Sequence, residues 1–123
     1  MTMPVERTRA LRWGWELLST MQERPGIPED LRARAAAIER AYPTPAAVLR
    51  WIQDDIPRLP NETALCIDAA GSLFTDLRNM TDLGDDLRRE LLVVLRHYPS
   101  PVEVRAAAQS FFLGIGSWLA TES

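Results

Sequence analysis

Ala41-Tyr42-Pro43-Thr44-Pro45 returns as His97-Tyr98-Pro99-Ser100-Pro101 after 56 residues. The register around it carries no gap. Asp30-Leu31-Arg32 returns as Asp86-Leu87-Arg88, Leu17 as Leu73, Glu6 as Glu62, Arg40 as Arg96 and Val48 as Val104. Residues 6–52 set against 62–108 share ten identities in 47 positions. Composition alone gives roughly three to five. The chain therefore reads as a tandem duplication.

The repeated stretch also sets the secondary structure. A residue before proline is pushed out of helical geometry, so a helix must stop at Tyr42 and again at Tyr98. Thr44 and Ser100 then suit the N-cap, and the prolines after them suit the first helical turn. Ser100 with Glu103 makes a capping box. Each repeat becomes helix, turn, helix, Tyr-Pro break, helix. The expected fold is all-α: one six-helix domain over 1–123, made of two pseudo-symmetric three-helix repeats. Repeat one covers about 4–56, a linker 57–60, and repeat two about 61–121.

Apolar residues at helical spacing place the core. Leu11, Gly14, Trp15, Leu18 and Met21 make the inner face of helix 1, flanked by Ala10, Trp13 and Leu17. Leu31, Ala35, Ile38 and Tyr42 do so in helix 2, and Val48, Trp51 and Ile52 in helix 3. In repeat two the faces are Ile67, Ala70, Gly71, Phe74 and Leu77, then Leu87, Leu91, Val94, Leu95 and Tyr98. Leu92 and Val93 widen the last of these, so helix 5 is expected to be more buried than helix 2. Trp15 aligns with Gly71 and Trp13 with Ala69, which suggests that bulk in one repeat fills gaps in the other. Helix 6 breaks the symmetry. Ala106 to Thr121 carries no charge, and Phe111, Phe112, Leu113, Ile115, Trp118 and Leu119 cannot share one stripe. Gly114 and Gly116 imply tight packing, fraying or a kink there.

Net charge is −3, with 14 basic and 17 acidic residues. That sign argues against a general nucleic-acid or anionic-membrane binder. All the basic residues are arginine, which suits bidentate contacts to carboxylate or phosphate as well as it reflects coding bias. Residues 1–61 hold nine arginines against eight acids, and 62–123 five against nine. The arginines of helices 1 and 2 are thus the place for a nucleic-acid contact, if there is one. No uncharged apolar run reaches the ~20 residues that span a bilayer. The start, Met1-Thr2-Met3-Pro4-Val5-Glu6-Arg7, has no apolar signal core. With the single Cys66 it points to a reducing, cytoplasmic setting.

Little in the chain carries chemistry. A nucleophile–base pair would have to use His97 or Cys66. His97 aligns with Ala41, so the repeat folds without it, and Cys66 reads as a small buried thiol. No Cys/His cluster has metal-ligand spacing, and no glycine loop suits a phosphate. No catalytic, cofactor or metal residue is assigned. Asp68, Ser72 and Asp76 read as a solvated helix side, and Asp54-Asp55 as a solvated helix end. Tryptophan and arginine are enriched at interface hot spots. Trp13, Arg50, Trp51, Phe112 and Trp118 are therefore the candidate partner-binding residues.

Pro4-Val5-Glu6-Arg7-Thr8-Arg9-Ala10-Leu11, Pro28-Glu29-Asp30-Leu31-Arg32 and Arg96-His97-Tyr98-Pro99-Ser100 carry a resemblance. They resemble a family of short bacterial proteins of unknown function, with an E-R-T-R-A-L start, a central L-P-x-x-L-R and an R-H-Y-P-S end. Repeat one matches the start and middle, and repeat two the end. Glu62-Thr63-Ala64-Leu65 departs from the arginine-rich opening, and Ala41 stands where that family has histidine. The resemblance implies a small helical protein and transfers no catalytic residue. The function expected is a non-enzymatic interaction or regulatory module. It would bind a protein partner, or itself as a homodimer, through apolar surface near helix 6. The alternatives are a nucleic-acid-associated regulator and, behind it, a small enzyme using His97.

Overall fold

Proline opens three of the helices in the computed structural model, which describes residues 2–109 and 114–122. The elements are α1 (Pro4–Glu23), α2 (Glu29–Ala41), α3 (Pro45–Asp54), α4 (Asn61–Arg78), α5 (Asp85–His97) and α6 (Pro101–Ala108). A short 3-10 turn, Ile115–Ser117, follows. The described chain is all-α, without a strand.

The caps come from the residues expected to supply them. Thr44 Oγ1 accepts from the Ala47 amide at 3.2 Å and so holds the start of α3. At α6, Ser100 Oγ accepts from the Glu103 amide at 3.3 Å. Glu103 Oε1 accepts from the Ser100 amide at 3.2 Å. Each such cap satisfies amides that the first helical turn leaves without partners, typically worth about 1 kcal/mol. Asn61 does not cap α4; it is the first helical residue, behind Pro60.

α1 and α4 form the middle of the molecule. α1 packs on α2 and α5, α2 also packs on α4, and α4 packs on α5 and α6. Every helix thus contributes to one hydrophobic core, with Leu18, Met21, Ile67, Phe74, Leu91 and Val104 fully enclosed. Because α1 has neighbours on several sides, its buried stripe is wider than the sequence face. Leu17 and Ala10 are buried, while Trp15 is half-exposed.

Three expectations need correction. The gaps at the central glycines are filled by tyrosines, not tryptophans. A Cβ on Gly14 would lie 2.7 Å from Tyr42 Oη and 3.2 Å from the Tyr98 ring, and one on Gly71 3.1 Å from Tyr98. Next, Leu92 and Val93 do not widen the buried face of α5. Leu92 is 51% and Val93 43% exposed, because α1 and α4 cover only the side of Leu87, Leu91 and Val94. Finally, α6 does not run on to about residue 121. It ends at Ala108, and Gly114 has φ 109°, a left-handed value that no helix continues through.

The chain after that glycine folds back. The Ile115 amide donates to Ile56 O at 2.7 Å, and Ile115 and Leu119 are fully buried. The linker is also held in place. Leu59 is buried, and its amide donates to Ala107 O at 2.8 Å. No helix among the described residues is long and apolar enough to cross a membrane.

Candidate functional site

Two surfaces gather the residues that sequence reasoning singled out. The first is the groove between α1 and α5. Trp13 and Val93 lie along it, with Leu17, Val94 and Thr20 beneath, and its volume is about 400 Å³. Trp13 is half-buried, and the guanidinium carbons of Arg9 and Arg12 each lie 5.9 Å from its ring. Cations at that distance are attracted by the ring face and hold it in place. The groove continues past Trp13 and Val93 to Glu6, Arg96 and His97. Its rim carries both signs, with Glu16 and Glu90 beside Arg89.

The second is the meeting of α1 with the C-terminal segment. Arg7 Nη1 donates to Trp118 O at 2.9 Å, and Nη2 pairs with Glu103 at 3.0 Å. The guanidinium also lies 5.0 Å over the Trp118 ring. Further along α1, the Ala120 amide donates to Thr8 Oγ1 at 3.0 Å. Arg12 then takes Glu122 in a two-point contact, Nε to Oε2 at 2.8 Å and Nη2 to Oε1 at 2.9 Å. The Arg12 guanidinium holds the Glu122 carboxyl below its usual range. At the other end, Asp55 Oδ1 accepts from the Gly116 amide at 3.3 Å.

The five candidate partner residues do not form one patch. Trp13 lies in the α1–α5 groove. Trp118 is buried under Arg7, and Trp51 is half-buried against the core. Arg50 is exposed on α3, and Phe112 lies outside the described residues. Ile115 and Leu119, expected as surplus apolar surface, are covered by the molecule itself.

The arginines of α1 and α2 are largely engaged. Arg7, Arg9 and Arg12 reach Glu103 or Glu122, Arg32 pairs with Glu29 and Arg34 with Asp76. Those carboxylates cancel most of the positive field that a phosphate backbone would need. His97 is held at both ring nitrogens: Nδ1 is 3.1 Å from Thr2 Oγ1 and Nε2 3.1 Å from Glu6 Oε2. It ties the end of α5 to the start of α1. The Cys66 thiol is buried and donates to Ile38 O at 3.2 Å, and burial pushes its pKa up to about 11. A thiol so raised is a poor nucleophile at neutral pH. Among the described residues, no group of three His, Cys, Asp or Glu side chains is placed to hold a metal ion.

Sequence reasoning missed the central tyrosine pair. Tyr42 Oη donates to Leu11 O at 2.8 Å, and Tyr98 Oη donates to Ile67 O at 2.8 Å. The two hydroxyl oxygens are 3.4 Å apart. The signal was present, since both tyrosines belong to the repeated stretch, but a proline beside them already explained that stretch. It also missed Asp55 and Glu122 as anchors, because their partners are distant in the chain. Comparison with family models, with curated proteins and with solved structures gives no match.

Proposed function

We propose that the protein is a non-enzymatic helical interaction module that associates with a second copy of itself through the α1–α5 groove. The observation that carries this is Trp13, half-exposed in the groove beside Val93, which is 43% exposed on the adjoining helix. Exposed large apolar side chains grouped around a tryptophan are the usual core of an interface. A second copy fits the rim. An isologous contact needs both charges in the same patch, and Glu16, Glu90 and Arg89 supply them. The contact is placed here rather than near α6 because Trp118 and Leu119 are used internally.

The same reading takes the chain as six helices in two pseudo-symmetric repeats, descended by duplication from a single three-helix unit of the resembled family. What supports it is the pair of hydrogen bonds Tyr42–Leu11 and Tyr98–Ile67, each 2.8 Å long and each spanning 31 residues. A reducing, cytoplasmic setting belongs to the same proposal and rests on the one free, buried cysteine.

Light scattering over a rising concentration series tests the association. The wild type is expected to gain mass toward twice the monomer, and Val93→Glu to stay monomeric with an unchanged helical spectrum. A wild type that remains monomeric throughout would overturn the self-association.

A further inference from the structure

Arg12 and Glu122 stand at the mouth of a cavity of about 240 Å³. Its wall is apolar: Pro43 and Pro45 from the repeated stretch, and Val48, Leu49 and Ile52 from α3. Thr121 and Glu122 close one side, and that side is the end of the C-terminal segment. The polar pole is the Arg12 guanidinium, which already holds a carboxylate by two bonds of 2.8 and 2.9 Å. Side-on pairing of this kind matches the planar fork of arginine to the two oxygens of a carboxylate.

We infer that this cavity binds a short apolar monocarboxylate, whose head takes the place of Glu122 on Arg12 and whose tail lies along Val48, Leu49 and Ile52. Glu122 is the resident stand-in for that head group. Glu122 lies outside any helix, so it can leave without disturbing one. The cavity is smaller than the roughly 300–1,000 Å³ of drug-sized ligand sites, which limits the tail to a few carbons. The corresponding cavity after the second Tyr-Pro turn is lined by Asp68, Val104 and Arg105, where this one has Arg12, Val48 and Leu49. Acid and base are exchanged there, so the two cavities are not equivalent sites.

Displacement also couples the site to the C-terminal segment. A ligand on Arg12 leaves Glu122 only its 3.5 Å pair with Arg9, and the segment keeps its contacts at Thr8, Arg7 and Asp55. Loosening is therefore expected at Thr121–Glu122 and not at Ile115. Because Glu122 is tethered, it competes at a high effective concentration and weakens binding to the intact protein.

The test is a titration of the isotope-labelled full chain with sodium hexanoate, followed by amide shifts, with hexanol as the uncharged comparison. Hexanoate is expected to move the amides of Val48, Ile52 and Thr121, and to bind Glu122→Gln about tenfold more tightly, since the internal competitor is gone. Arg12→Gln is expected to lose hexanoate. Leu49→Glu, at an exposed position, is expected to block the tail while leaving the rest of the spectrum in place. Equal binding of hexanol and hexanoate would overturn the inference. So would unchanged spectra of both wild type and Glu122→Gln at about 10 mM ligand, a concentration that matches the internal competitor.

Discussion

Tyr42 and Tyr98 meet with their hydroxyl oxygens 3.4 Å apart, yet each hydroxyl has one proton and directs it to a helix carbonyl at 2.8 Å. The contact between the oxygens is therefore a meeting of lone pairs, tolerated because both bonds to carbonyls are made. Tyr42→Phe and Tyr98→Phe should each destabilise the protein by about 1 kcal/mol, the net worth of one buried hydrogen bond. The double variant should lose more than the sum, because either single variant already relieves the lone-pair contact and the double relieves it only once. Urea unfolding of the four proteins measures this, and strict additivity would contradict it. Burial raises the pKa of both tyrosines above their ordinary value of 10.0. The folded state keeps its phenol protons where the unfolded chain releases them. Stability should thus be intact below pH 10 and fall as the pH rises above it. Cys66 acts in the same direction from pH 9.0 to about 11. In a Cys66→Ala background, Tyr42→Phe should flatten the alkaline fall.

Helix ends are decided by different things at different places. α1, α2 and α5 stop at the residue before a proline, Arg24, Tyr42 and Tyr98, so those ends are local. α6 stops at Ala108 in a run with no charge and no proline, and the chain then turns at Gly114. The reason lies with distant partners. A Cβ at Gly114 would be 2.7 Å from Asp55 Oδ1, and the following amides are taken by Ile56 O and Asp55. Gly114→Ala should therefore cost about 1–3 kcal/mol, from the left-handed backbone and the close carboxylate together. Its melting temperature compared with that of Gly116→Ala checks this. Gly116 has a negative φ and a looser approach of 3.4 Å to Asp55, so its alanine variant should be the milder one.

For the molecule as a whole, packing joins the two halves of the chain. α1 packs on α5, and α2 on α4. Chains of residues 1–60 and 61–123 should each lack a cooperative thermal transition, and mixing them should restore one. A half that folds alone would contradict this. The engaged arginines bear on the same scale. With Glu103 and Glu122 pairing across the molecule, Arg7, Arg9 and Arg12 tie α1 to the C-terminal half.

The sequence by itself determined the all-α class, most helix bounds, the caps at Thr44 and Ser100, and the inner positions of α2 and α4. All of these depend on contacts within a few residues, where proline geometry, capping and the 3.6-residue period act. The 56-residue interval also pointed to Tyr42 and Tyr98 as fixed points, though not to the bonds they make. Trp13 was legible as a candidate because tryptophan in so small a core is hard to enclose. Only the tertiary structure decided that Trp118 is covered while Val93 is not, that α6 ends early, and that Arg7 and Arg12 are anchors. Arg7 finds partners 96 and 111 residues away, and Arg12 one 110 residues away. No local pattern encodes a pairing at that range, since any of the acidic residues satisfies the same charge until packing brings one of them within reach.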